Sequence, residues 1–319
     1  MPLSDLPGGR FDIGAFSGRI FISFGKPVTS AEPPRSGTRY DKVELTNPGV
    51  ANLTAVDFFG IPFRLQTLNA AGRPRSSLGY QCDANSVRQQ LLKIPGARRA
   101  QVRAGGQFVR ILSPQLSPGS YPSFAHYLRS MQGKHIVLRG KFFGTPFETF
   151  DYSGRVGRNG TVRLTGAVVT ASGPGGSGAH RPGQPIMVTG ASLRQAIYTG
   201  DGPYTWGGAV HRVSDNDVYA AIYRDLIAGY AWGYFGGRYG NDSARYTGKP
   251  PFEAARKAQT RYAAFNPYAA VIYKNSNSYG FSFSDTGPKK VQMGLNGVST
   301  LRITIPKDKA ASQPRRCRA

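Results

Sequence analysis

Turn-forming residues punctuate this sequence from end to end: 41 glycines and 23 prolines are spread through 319 residues. A proline removes a backbone donor and a glycine weakens a helix interior, so most elements must be short. Between the breaks lie segments in which apolar and polar residues alternate, the pattern of half-buried strands. Residues 19–24, 42–46, 53–58 and 61–68 read as strands, with Gly25-Lys26-Pro27 and Asn47-Pro48-Gly49 as turns. The character then changes. Asp83 is placed to cap a helix over 84–94, stopped by Pro95-Gly96, and a strand at 107–112, a helix at 123–131 and a strand at 135–139 follow.

This alternation predicts an α/β element at 73–141 inserted into a β scaffold formed by 10–72 and 142–306. Strands resume at 148–152, 161–164 and 167–170, and a Gly/Ser-rich surface loop covers 172–179. Helices are expected at 189–197, at 218–231 behind a Ser214/Asp217 cap, and at 252–264. Strands at 269–273, 279–284 and 300–305 close the fold, and 307–319 reads as a basic disordered tail. The expected class is mainly β with an α/β insertion.

With 41 Lys and Arg against 17 Asp and Glu, the net charge is +24. The basic residues are dispersed, and no helix-turn-helix, finger or RNP-like motif accompanies them. Dispersed charge predicts loose adhesion to anionic surfaces rather than specific nucleic-acid recognition. The four histidines and two cysteines show no metal-ligand spacing, so no metal or other cofactor is expected. Cys82 and Cys317 are so far apart in sequence that they are expected to stay unlinked. No apolar run is long enough to span a membrane, and the first residues lack a signal-peptide pattern. The chain is nevertheless expected to work as a secreted or cell-envelope protein, with its export signal removed or the sequence starting late, and as a monomer.

Acidic residues are scarce, so their positions are informative. In Lys42-Val43-Glu44-Leu45-Thr46, Val43 and Leu45 alternate toward a core, and Glu44 and Thr46 face away from it. In Ala55-Val56-Asp57-Phe58-Phe59 the same logic turns Asp57 outward. Neighbouring strands then bring two carboxylates to one sheet face, the requirement for glycosidic cleavage by an acid and a base. By pattern alone, two solvated strand acids fit better.

A resemblance shifts that balance. Ser17-Gly18-Arg19-Ile20-Phe21-Ile22-Ser23-Phe24-Gly25 resembles a strand of the glycoside hydrolase family 64 β-1,3-glucanases, in the thaumatin-like superfamily. The segment from Asp41 through Glu44 and Thr46, then Asn52-Leu53-Thr54-Ala55-Val56-Asp57, resembles that family's acid-bearing strands. Val109-Arg110-Ile111-Leu112-Ser113-Pro114, His211-Arg212-Val213, Asn266-Pro267-Tyr268-Ala269-Ala270-Val271-Ile272 and Tyr279-Gly280-Phe281-Ser282-Phe283-Ser284-Asp285 resemble later elements in the same order.

The resemblance implies a thaumatin-like β scaffold with a wide groove beside an α/β part. It also implies metal-free, inverting, endo-type hydrolysis of β-1,3-glucan. Carried over, Glu44 matches the general acid and Asp57 the general base. Thr46, Asn52 and Thr54 match groove residues, and Asp285 falls where such folds place a cleft carboxylate. The Glu–Asp interval is shorter than the family's, Val50 stands near its groove Trp, and Val210 replaces its Cys before His-Arg. Two other functions stay open: a non-catalytic carbohydrate binder, and a cationic surface or nucleic-acid binder. His211-Arg212, Trp206, Trp232 and the Tyr/Gly-rich run 229–239 fit either cleft lining or plain packing.

Overall fold

A computed structural model of the chain describes residues 2–30, 32–170, 179–252 and 264–306. Most of the loop read at 172–179, most of the helix read at 252–264 and the tail at 307–319 lie outside the described residues. The chain divides into two compact units: Met1–Tyr121, Val271–Gly280 and Lys289–Ala319 form the first, Pro122–Ala270 and Phe281–Pro288 the second. The division at residue 121 falls inside the stretch read as an α/β insertion.

The first unit opens with β1 (Phe16–Ser23), β2 (Tyr40–Asn47), β3 (Val50–Leu53), β4 (Phe58–Phe59), β5 (Arg64–Leu68) and β6 (Pro74–Gly79). Then come α1 (Ala84–Leu92), β7 (Gln101–Ala104) and β8 (Gln107–Leu112). Asp83 caps α1 by accepting from the Ser86 amide at 3.0 Å, as the sequence predicts.

The second unit carries α2 (Ala125–Ser130), β9 (His135–Phe142), β10 (Glu148–Val156), β11 (Val162–Thr170), β12 (Ala179–Pro182) and β13 (Ile186–Val188). It continues with α3 (Gly190–Thr199), β14 (Tyr204–Trp206), β15 (Ala209–His211), α4 (Val218–Ala231) and α5 (Ser243–Tyr246). Its strands form one antiparallel sheet in the order β15-β14-β13-β11-β10-β9, with β12 also on β11. Last in sequence are α6 (Pro267–Asn275), β16 (Gln292–Gly294) and β17 (Thr300–Thr304).

In the first unit, β1-β2-β3-β16 make a four-stranded sheet, β17-β5-β6 a second and β4-β8-β7 a third. The first two share one core: Val43, Leu45, Ala51, Leu53 and Met293 pack with Leu65 and Leu78, and Ile20, Ile22, Leu301 and Ile303 pack against them. Val43 and Leu45 thus face inward, as their alternation requires. Gly49, at φ 150°, makes the turn between β2 and β3 in a conformation that disfavours a side chain. The fold is mainly β, with helices concentrated in the second unit.

Several elements depart from the sequence reading. The strand read at 53–58 ends at Leu53, because Thr54 turns away to bridge Tyr279 and the Ala55 amide donates to Tyr279 O at 2.7 Å. The strand read at 269–273 is helix α6. Pro267 occupies its first turn, Asn266 accepts from the Ala269 amide at 3.0 Å, and Tyr268, Ala269 and Ile272 form one buried stripe. No strand forms at 279–284: Tyr279 makes its bridge, and Ser284 Oγ folds back to the backbone of Phe281 before a 3₁₀ turn at Ser284–Thr286. Asp217, not Ser214, caps α4, accepting from the Ala220 amide at 2.7 Å. Cys82 is disulfide-bonded, against expectation. The one other cysteine of the sequence, Cys317, lies outside the described residues.

Candidate active site

The outward face of the β1-β2-β3-β16 sheet carries a cross-strand row of polar residues. Arg19 pairs with Glu44, Glu44 with Asn52, and Asn52 with Gln292. The next row holds Ser17, Thr46, Val50 and Gly294. Directly opposed side chains in such rows stand about 5 Å apart, close enough to act on one ligand. Ser17, Arg19, Glu44, Thr46, Val50 and Asn52 line a depression of about 250 Å³.

Arg19 Nε donates to Glu44 Oε1 at 3.0 Å, and the hydroxyls of Ser17 and Thr46 lie 3.1 Å apart. Glu44 is 30 % exposed, and Arg19 holds only one of its oxygens. Asn52 Oδ1 is buried and has no hydrogen-bond partner among the described residues. Gln292 Nε2 donates to the Tyr279 hydroxyl. A row of this kind, with one acid, one orphan acceptor and flanking hydroxyls, suits a hydroxyl-rich neutral ligand.

Asp57 lies in the bend between β3 and β4 rather than on a strand. Its carbonyl accepts from the Ser113 amide at 2.8 Å, and Phe58 and Phe59 pair with Leu112 and Ile111. Its Oδ2 accepts from Lys42 Nζ, while the carboxylate is 29 % exposed. Lys42 stands on the same face of β2 as Glu44, roughly 7 Å along the strand. Its side chain, 4 % exposed, runs over the Phe58 ring, with Nζ 4.9 Å from the centroid. The ammonium therefore turns toward Asp57 and not toward Glu44.

One residue earlier, Asp41 is buried and accepts from the Gly60 and Ile61 amides at 2.9 and 3.1 Å. Burial pushes its carboxyl up to about 6, against the pull of these amides and of Lys42. Gly60 is required there, since a Cβ would meet Tyr40 O at 2.5 Å.

Glu44, Thr46, Asn52, Thr54 and Asp57 all belong to the first unit, and Asp285 belongs to the second. Thr54 is buried, with its hydroxyl accepting from the Val56 amide at 3.4 Å, so it serves the turn that presents Asp57. Asp285 sits in the Ser284–Thr286 turn, where desolvation raises its carboxyl and Arg224 opposes the rise. Asp225 of α4 is its electrostatic neighbour and rises to about 7, mainly by desolvation and further through Asp285.

The other candidates resolve toward packing. Trp206 is stacked by His211 on one side, with centroids 4.4 Å apart, and by Tyr219 at 4.2 Å, so its rings serve each other. His211 Nδ1 meets Asp215 Oδ2 at 2.8 Å. Trp232 is buried and donates to Thr286 Oγ1 at 2.7 Å. In the 229–239 run, Tyr230, Tyr234 and Phe235 are core.

Sequence reasoning did not single out Arg19, Lys42 or Gln292 as site residues. Arg19 and Lys42 share the outward parity of Glu44 within their strands, a legible signal. Gln292 comes from a three-residue strand that leaves almost no pattern.

Among the described residues, no group of three or more His, Cys, Asp or Glu side chains is placed to hold a metal, and no helix is long and apolar enough to cross a membrane. No protein-family model matches the sequence, and neither does any curated protein. Solved structures do. A laminaripentaose-producing β-1,3-glucanase, crystallised with laminaritetraose, matches 92 % of this chain and 79 % of its own at a TM-score of 0.58 and 20 % identity. A β-1,3-glucanase domain of glycoside hydrolase family 64 from Clostridium beijerinckii matches 91 % and 75 % at 0.53 and 19 %. This two-unit chain has the fold of the glycoside hydrolase family 64 β-1,3-glucanases.

Proposed function

We propose that this chain hydrolyses β-1,3-glucan, with Glu44 as general acid and Asp57 as general base. The observation that carries the reading is the polar depression holding Glu44 and the orphan Asn52 acceptor, in a chain whose fold is shared with β-1,3-glucanases. In the proposed reaction, water attacks the anomeric carbon and gives its proton to Asp57. The glycosidic C–O bond breaks, and Glu44 protonates the departing oxygen. Attack from the face opposite the leaving group inverts the anomeric centre. Glu44 Oε2, which takes no bond from Arg19, is the oxygen that carries the donated proton. Thr46 and Asn52 are proposed to serve the sugar groove, Asn52 by accepting a sugar hydroxyl directly, and Thr54 to hold the turn that presents Asp57; Asp285 is proposed as a substrate-binding carboxylate of the second unit. Secretion into an oxidising compartment fits the disulfide at Cys82.

A second reading has its own support: each candidate acid already holds a cation, Arg19 on Glu44 and Lys42 on Asp57. That arrangement suits a carbohydrate-binding module without turnover. Incubation with β-1,3-, β-1,4- and β-1,6-linked glucans, read by reducing-end release and by NMR of the new anomer, decides between them. Hydrolysis confined to the β-1,3 linkage with α-anomer release supports the first reading. Binding of laminarin without any reducing-end release supports the second, and β-anomer release contradicts the inverting mechanism.

A further inference from the structure

Asp57 is the less regular of the two candidate acids, since no strand holds its side chain. What holds it is visible around it. The segment on either side is pinned to its neighbours at three points: the Ala55 amide on Tyr279 O, the Ser113 amide on Asp57 O, and the Gly60 and Ile61 amides on the Asp41 carboxylate. These bonds fix the backbone and leave the Asp57 carboxylate free to rotate. Its orientation is set by Lys42 Nζ, the one side-chain partner that Asp57 has among the described residues.

Lys42 is itself immobilised. Its stem is buried, and its ammonium lies over the Phe58 ring, the residue next to Asp57. Arg110, buried and stacked on Tyr40 and Phe58 at 4.1 and 4.7 Å, holds that ring from β8. A buried ammonium is costly unless a carboxylate meets it, so the pair is not an optional surface contact. Asp41 and Lys42, adjacent on β2 and facing opposite ways, together hold the stretch from Asp57 to Ile61.

We propose that Lys42 is the positioning residue for the base side of the reaction: it binds Asp57 Oδ2 and so presents Oδ1 to the attacking water. The inference rests on the proposed glucanase function and goes beyond it by assigning a residue that acts on the base alone. It makes a distinctive prediction. From a glycosyl fluoride the C–F bond breaks and fluoride ion departs without a proton from an acid, but the attacking water still needs a base to take its proton. A defect on the base side therefore persists with a β-laminarioligosaccharyl fluoride, whereas a defect in the acid is largely relieved.

The test compares wild type, Lys42→Met, Asp57→Asn and Glu44→Gln on laminarin and on this fluoride, well below each variant's melting temperature. Lys42→Met is expected to lower kcat roughly 10- to 100-fold on both substrates with KM nearly unchanged, the range for a misplaced catalytic group. Glu44→Gln is expected to lose activity on laminarin and recover most of it on the fluoride. Wild-type kcat in Lys42→Met, or a loss on laminarin alone, overturns the role of Lys42 and leaves the glucanase reading standing. Full activity in Asp57→Asn overturns that reading itself. Should Lys42→Met fail to fold, Lys42→Arg keeps a cation but moves it. A lowered kcat with retained KM on both substrates then supports the proposal, and wild-type kcat contradicts it.

Discussion

Arg19 reaches Glu44 with a side chain 52 % exposed, whereas Lys42 reaches Asp57 from a buried stem. The two candidate carboxylates therefore differ in what their loss does to the fold. Glu44→Gln removes half of a screened surface pair, and its stability is expected to stay within about 0.5 kcal/mol of wild type by urea denaturation. Asp57→Asn leaves a buried ammonium short of its partner and is expected to cost roughly 1–3 kcal/mol. Adding Lys42→Met to Asp57→Asn should recover part of that loss. Strict additivity of the two changes would show that the pair is not coupled. Asn52→Ala should raise KM for laminarin with little change in kcat, since it removes an acceptor and not an acid; an unchanged KM would place Asn52 outside the sugar site. At this scale the sequence was informative about parity and blind to pairing. Val43 and Leu45 told which way Glu44 points. The partner of Asp57 depends on a bend that no alternation records.

Short elements were the hardest to read. The β13 to β16 strands are three residues each, too short for a period of two to show. The segment of helix α6 carries a strand signal in Val271, Ile272 and Tyr273, and Asn266 and Pro267, which supply a cap and a first turn, decide for the helix. In α4, Asp217→Ala is expected to cost about 1 kcal/mol through loss of the cap, measured by thermal or urea unfolding. A Ser214→Ala change should be neutral, and the reverse ranking would contradict the observed cap.

The same helix carries Asp225, whose carboxyl rises to about 7 in the fold from an ordinary value near 3.8. A raised carboxyl favours the protonated form in the folded state. Its contribution to stability is complete below pH 3.8 and is lost as pH rises through about 7. Asp225→Asn should accordingly raise the melting temperature at pH 7.5 and leave it unchanged at pH 3.5. An equal effect at both values would show that the carboxyl is not desolvated.

The whole molecule carries a charge of +24 with no basic motif to focus it, so its attraction to anionic walls should be long-range and unspecific. Retention on such a surface should collapse as salt approaches 1 M, where the screening length is about 3 Å, and turnover of a neutral glucan should change little. Retention that survives high salt would require a specific contact instead. The mainly β class and the resemblance to family 64 glucanases were both legible in the order of motifs along the chain. The two compact units were not, because the chain returns to the first unit at 271–280, leaves it for the second at 281–288 and comes back from 289 on, an exchange that local patterns do not encode. The two-carboxylate mechanism is tested most directly by the rate of reducing-end release from laminarin by wild type, Glu44→Gln and Asp57→Asn under conditions where all three are folded. Measurable turnover by wild type and a fall of roughly 10²–10⁴-fold in each variant are expected. Near-wild-type rates in both variants, or no turnover by the wild-type chain, would contradict it.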